Sequence, residues 1–472
     1  MDAIIALPGP AASPQRIFLS TLPPSRHALG MTAPARLPML LVLMSLFAPA
    51  LFADWKSEAA ARIEQHRKSD LVLTVRDRKT GEPVRDLAVS LKMKRHAYLF
   101  GTAVNEDLVA QQDADGERYR REILDNFNAS VLENHQKWKF FEDAARRPAT
   151  DAALEWIRRH GLAHRGHAHI WQTFKYGVMV PKDIHLAAQR ATAEDLEHIR
   201  RRSLEHVTAL GRHYRGQAVH WDVLNEQVEE HELTKVLHAG VPPSRAPILV
   251  DWFRAAKAAD PSTRLYINDY HILVGDFKKH KDVYEDTIRF LIEEKAPLEG
   301  IGFQGHFHGG ALVRTPEQTW ETLERFGRFG IPMAVTEFDM FAKGWGETLE
   351  AEEAAQGEFF EQFLTTFYSH PGTEAFLIWG FWDGRHWAGK GVFFRKDWTP
   401  KPAYAVWRKL VQGAWRSDAT ARTGADGTAR VRLFHGDYEA TLPGPDGPLT
   451  FEIRLRPDNT RFDLQIGVTE PK

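Results

Sequence analysis

Between residues 100 and 412, short apolar or β-branched runs alternate with longer amphipathic stretches. A run of four to seven such residues suits a strand buried on both faces, and the intervening stretches carry helical periodicity, so the segment reads as repeated βα units around a parallel sheet. Eight strands are expected, at 99–105, 129–134, 163–169, 218–224, 264–268, 300–305, 332–336 and 375–380. Helices are expected at 193–214, 247–260, 281–295, 316–329 and 351–368, among others. Eight units match an α/β (β/α)8 TIM barrel. A doubly wound open sheet is the alternative, but no Gly-rich phosphate loop follows the first strand.

The ends of the chain follow another rule. A short helix is expected at 55–68, and the alternating runs 71–75 and 87–91, separated by turn residues at 79–83, read as a β-hairpin. Short strands recur at 429–434, 437–442 and 449–455. A lone hairpin is marginal, so the two β-rich ends, 54–98 and 413–472, are expected to join in one small accessory β-module flanking a catalytic barrel at 99–412. Ahead of them, Arg36, the apolar run 40–47 and small residues at Ala48, Ala50 and Ala53 have the order of a secretory signal, too short to span a bilayer comfortably. Residues 1–53 are therefore assigned to leader and signal peptide, with Met31 as a second candidate start, and the mature protein is expected to be secreted or periplasmic, without a membrane anchor.

Composition narrows the partners. The 61 basic and 63 acidic residues nearly cancel, so no long-range field draws nucleic acid or anionic lipid. The chain has no cysteine, which excludes disulfides and thiolate chemistry. The 14 tryptophans suit flat, weakly charged ligands such as sugar rings, as well as cores.

Polar residues gather at the C-terminal end of nearly every expected strand, the face where barrel active sites are built. They are Asn105; Glu133, Asn134 and Lys137; His167 and Trp171; Asn225 and Glu226; Asn268, Asp269 and Tyr270; Gln304 and His306; Glu337 and Asp339; and Trp379 and Asp383. Glu226 and Glu337, closing the fourth and seventh strands, face each other across the mouth in this arrangement. Cleaving a glycosidic bond requires a proton donor for the leaving oxygen and a second carboxylate on the opposite face of the sugar. His306 is placed to orient Glu337, with Asp339 holding the imidazole, and Asn225 to bind a sugar 2-hydroxyl. Trp171, Trp379 and Trp387 are candidates for the cleft floor.

These motifs resemble the family 10 glycoside hydrolases, the endo-β-1,4-xylanases. Residues 133–138 (ENHQKW) are similar to that family's ENEMKW, and 165–171 (RGHAHIW) to RGHTLVW. Residues 221–226 (WDVLNE) match WDVxNE, 265–270 match LYINDY, and 302–306 match GxQxH. Residues 336–339 resemble TExD, and 379–383 with Trp387 resemble WGxxD and its later tryptophan. The resemblance implies Glu226 as acid/base and Glu337 as nucleophile in double displacement on xylan or a related β-1,4-linked plant polysaccharide, with no cofactor or metal. It also implies Glu133, Asn134, Lys137, His167, Trp171, Gln304, Trp379 and Trp387 along the glycone side, and Tyr270 toward the aglycone. His135, Gln136, Ala168, His169, Gln172 and Gly305 depart from the family pattern.

Two other readings remain at this level. His167 with His169, and His306 with His308, are HxH pairs on strands, a spacing that can chelate zinc in a metal-dependent barrel hydrolase. A secreted polysaccharide-binding protein without turnover would need the cleft but neither glutamate.

Overall fold

The computed structural model describes residues 54–467 except 176, 342 and 343 and the side chain of residue 311. The expected leader and signal peptide, with Met31, lie outside the described residues. The strands in chain order are β1 (Lys68–Asp77), β2 (Ala88–His96), β3 (Leu99–Val104), β4 (Ala129–Leu132), β5 (Ala163–Gly166), β6 (His220–Asn225), β7 (Arg264–Asp269) and β8 (Gly300–Phe303). They continue as β9 (His306–Phe307), β10 (Met333–Met340), β11 (Thr373–Ile378), β12 (Asp418–Arg422), β13 (Thr428–Phe434), β14 (Gly436–Gly444), β15 (Gly447–Leu455) and β16 (Arg461–Ile466).

Strands β3 to β8, β10 and β11 pair in parallel in chain order, and β11 pairs with both β10 and β3, which closes the barrel. Closure leaves no free barrel edge. Helices such as Ala193–His213, Pro247–Ala259 and Leu349–Ser369 cover the outside. The outer layer is densely aromatic, with Phe338 and Phe376 in ring contact with each other and each with Phe360 and Phe363. Inside, a small apolar cluster of Ala103, Val131, Tyr266, Ala334, Ala375, Leu377 and Trp379 fills part of the barrel, and polar side chains occupy the rest.

Two register shifts aim the site. On β6 the register slips between Asp222 and Leu224, so Asp222 lies beside Tyr266, and Asn225, three residues on, lies beside Asn268. A bulge of this kind turns residues three apart onto one face, which strict alternation would not do. A second shift on β10, between Val335 and Phe338, accompanies the two neighbours Thr336 and Glu337 both bonding to Asn268.

The terminal β-strands form two further sheets, β13-β1-β16 and β12-β2-β14-β15, each mixing strands from both ends of the chain. The expected hairpin of the runs at 71–75 and 87–91 is corrected here. The turn forms, with Asp77 Oδ1 accepting from the amides of Lys79 and Thr80, and Arg76 bridges Pro83. Pairing then stops, because β13 and β16 occupy the two edges of β1, and the chain crosses into the other sheet as β2. Leu71, Leu73 and Val75 share one face of β1 and are fully buried, which an isolated hairpin would leave open to water.

The module joins the barrel where β2 runs into the N-terminal end of β3, opposite the strand ends that carry the polar residues. Arg67 fastens it. Its guanidinium donates to Tyr368 O (2.8 Å), Thr373 O (3.0 Å), His370 O (2.5 Å) and Thr373 Oγ1 (2.7 Å), against the rings of Tyr98 and Tyr368. Three of these acceptors are carbonyls at the end of helix Leu349–Ser369 and the start of β11. Arg67→Ala strands them and is expected to cost about 2–4 kcal/mol, read as a lower denaturation midpoint at an unchanged slope. An unchanged midpoint would show that the clasp is dispensable.

Candidate active site

Glu226 follows β6 at φ 59°, a left-handed conformation that is uncommon for a residue with a side chain. Its amide donates to Asn268 O at 2.8 Å. The carboxylate accepts from Trp171 Nε1 at 2.9 Å and from Gln304 Nε2 at 2.9 Å. Glu337 lies within β10, and its Oε1 accepts from Asn268 Nδ2 at 2.7 Å. Gln304 and Asn268 also both donate to Asn225 Oδ1, at 3.2 and 3.0 Å. A chain of three side-chain amides therefore runs from one glutamate to the other, and because Asn225 Oδ1 is used twice, its Nδ2 is the atom left for a ligand. Gly302 makes room for this bridge, since a Cβ there would come within 2.6 Å of Asn268 Oδ1.

The carboxylates are 9% and 5% exposed, and their surroundings drive them apart. Burial pushes Glu226 up to about 8, repulsion from Glu337 and Asp269 adds to it, and the bonds from Gln304 and Trp171 oppose it. For Glu337 burial also works against the charge, but His167, His306 and Lys137 outweigh it and hold the carboxyl below its usual range. His306 lies between Asp339 (Nδ1, 2.8 Å) and Glu337 (Nε2, 3.3 Å). Burial disfavours its charge, yet Asp339 and Glu337 raise it to about 10, making an imidazolium that donates from both nitrogens. The two-residue strand β9 sets His306 beside Asp339 on β10, and Gly305, at φ 84°, makes the backbone turn that brings it there. Trp387 Nε1 donates to Asp339 Oδ2 at 2.8 Å.

Around this pair, Lys137 donates to Asn134 Oδ1 at 3.0 Å and lies 4.7 Å from the Trp171 ring. Glu133 accepts from Asn105 Nδ2 at 3.4 Å. Tyr270 donates its hydroxyl to Glu229 at 3.2 Å. Trp379 is buried edge-on to His167, whereas Trp387 is 53% exposed. The structure thus gathers the glutamates, Asn225, Gln304, His306, Asp339, Lys137, Trp171 and His167 around one centre, with Tyr270 and Trp387 on its margins.

Two contributors escape motif reading. Asp222 pairs with Arg165 deep inside the barrel and accepts from His167 Nδ1 at 2.9 Å, leaving that nitrogen 3.9 Å from Glu337. Glu106, 1% exposed, accepts from the amides of His135 (3.0 Å) and Asn134 (3.5 Å) and so fixes the loop carrying Lys137. A buried charge inside a strand demands a partner, so Asp222 opposite Arg165 was a readable signal.

The departures from the family pattern have local work. Gln136 Oε1 faces His164 Nε2 at 3.2 Å, and Gln172 ties to Gln227 (2.6 Å) and to the amide of Thr234 (2.8 Å). His169 does not share a face with His167. Regular strand ends at Gly166, and the His169 ring instead packs 4.7 Å from Trp221. His308 is exposed beyond β9. Among the described residues no three His, Cys, Asp or Glu side chains are grouped to hold a metal ion.

The sequence profile of glycosyl hydrolase family 10 matches residues 88–410. The chain belongs to this family. Among curated family-like relatives, endo-1,4-beta-xylanase B of Thermotoga neapolitana is 26% identical over 63% of this chain and 84% of its own. Anti-sigma-I factor RsgI6 of Acetivibrio thermocellus is 25% identical over 86% of this chain, which spans about half (49%) of that relative's length. The solved structure of xylanase 10B from Thermotoga petrophila with xylobiose superposes with a TM-score of 0.57 at 23% identity, covering 67% of this chain and 94% of that one, and so agrees in fold. The family 10 profile spans every barrel strand and both glutamates.

Proposed function

We propose that this family 10 protein is a secreted, retaining endo-β-1,4-xylanase with Glu226 as acid/base and Glu337 as nucleophile. The observation that carries the reading is the pair of buried carboxylates, joined through Gln304, Asn225 and Asn268 and held in opposite protonation states. Such a pair separates the acid from the nucleophile. The relatives named as xylanases support the substrate.

In the first step Glu337 attacks the anomeric carbon as the bond to the leaving sugar oxygen breaks, and Glu226 delivers its proton to that oxygen. The product is a glycosyl ester on Glu337. Esterification removes the negative charge that helps raise Glu226, so the same group becomes a stronger acid and, once ionised, serves as the base. It then takes a proton from water, the water oxygen attacks the anomeric carbon, and Glu337 departs. Two inversions restore the β configuration. On this reading the Asn225 amide binds the 2-hydroxyl, and the His306 imidazolium keeps Glu337 charged until it reacts. Secretion rests on the signal-like order of Arg36 and the apolar run 40–47.

The test is product release from beechwood-type xylan against soluble β-glucan and cellulose, with Glu337→Gln and an EDTA arm in parallel. Xylo-oligosaccharides that form with EDTA present and vanish in the variant are expected. Xylan left intact, or cleavage lost to EDTA alone, would overturn the reading.

A further inference from the structure

A row of rings leaves the catalytic centre along the barrel mouth. The Trp387 ring meets Phe341 at 4.5 Å, Phe341 meets His308 at 4.5 Å, and His308 lies 6.3 Å from His271. His271, itself at φ 56°, stacks on Phe277 at 4.0 Å and touches Tyr270 at 4.6 Å. The row thus crosses from the loop after β11 to that after β7, ending at the tyrosine assigned to the aglycone side. Each of these rings keeps part of its surface open to solvent.

The two imidazoles in the row differ from the neighbouring histidines that carboxylates hold. His306 has Asp339 and Glu337, His167 has Asp222, and His280 has Asp269 at 3.0 Å. Among the described residues, His271 and His308 have no carboxylate within ion-pair distance and no side-chain hydrogen bond. An accessible pair of imidazoles without an acceptor, framed by rings that suit sugar faces, is a receptor for an acidic sugar. We propose that His271 and His308 recognise a carboxylate-bearing side group, of the uronic-acid class, on the leaving portion of the polysaccharide. The proposal rests on the xylanase reading for the main chain and adds the chemistry of its decoration.

The charges around the pair set the pH dependence. Burial and the neighbouring His280 and His308 lower His271 to about 4, while Glu229, from the loop after β6, works the other way. Although the residue keeps an open surface, packing around its ring and the charge of His306 lower His308, and Asp339 opposes. Asp269 is already engaged by His280 and by the amides of Val228 and Tyr270, and Glu229 by the Tyr270 hydroxyl. Both imidazoles are therefore neutral at neutral pH in the free protein. A docked carboxylate raises them, so binding takes up protons and strengthens as the pH falls.

The experiment compares kcat/KM on a plain xylo-oligosaccharide and on the same chain bearing one uronic acid, at about pH 5 and about pH 7.5, for the wild type and His271→Asn/His308→Asn. The ratio of decorated to plain substrate is expected to rise about tenfold on acidification in the wild type, and to lose that rise in the double variant. A ratio with the same pH dependence in both proteins overturns the inference. The plain-chain arm reports the hydrolase reading separately. If neither chain is cleaved, calorimetric binding of the decorated chain to the two proteins decides, with loss of the acid-strengthened affinity in the double variant supporting the imidazole receptor and equal affinities overturning it.

Discussion

Glu337→Gln is expected to lower kcat on xylan by on the order of 10^5-fold, with the fold intact. Glutamine keeps the volume and accepts from Asn268, but its amide cannot form and release a glycosyl ester, so the covalent route closes rather than slows. Removing the charge also takes away one of the two acceptors of the His306 imidazolium. Glu337 is held below its usual range, so its contribution to stability is present above the unfolded carboxyl value and is lost as the pH falls through the folded one. The variant is therefore expected to melt below the wild type at neutral pH, the gap narrowing in acid. Wild-type turnover in this variant would remove Glu337 from the chemistry.

Glu226→Gln is expected to separate substrates by their leaving groups. Xylo-oligosaccharides, whose leaving oxygen needs a proton, lose about 10^3–10^4-fold in kcat/KM, whereas an aryl xyloside with a good leaving group loses far less at the first step and accumulates the intermediate. The pH profile carries the same signature. Wild-type kcat/KM falls above about pH 8 as Glu226 loses the proton it must donate, and the variant lacks that limb. Stability moves in the opposite sense. Glu226 is raised in the folded protein, so the fold binds an extra proton between the unfolded carboxyl value and about 8, and the associated stability is lost as the pH rises through that window. Near pH 8 the variant should melt above the wild type, and near pH 4 the two should converge. Equal losses on all leaving groups would assign Glu226 to binding.

The barrel and its reactive mouth were legible because both rest on local patterns. Each expected strand overlaps an observed one, and the polar residues cluster at one end of each, so Glu226 and Glu337 stand out in the sequence alone. What stayed hidden depends on register and on competition for edges. Alternation alone cannot place Asp222 and Asn225 on one face of β6, because the bulge between them has no distinctive residue. The runs at 71–75 and 87–91 looked like a hairpin, since the turn between them is real, but β13 and β16 from the far end of the chain outcompete the local partner. The His167 and His169 spacing suggested a shared face until the strand stopped at Gly166. The ring row from Trp387 to Tyr270 joins loops after several strands, and no spacing in one segment reports it.

The most direct test of the two-carboxylate account is the anomeric configuration of the first product released from a xylo-oligosaccharide, followed by proton NMR before mutarotation. Double displacement through Glu337 predicts that the β-anomer appears first and the α-anomer grows in later. The α-anomer appearing first would mean a single displacement by water, and would contradict the roles assigned to both glutamates.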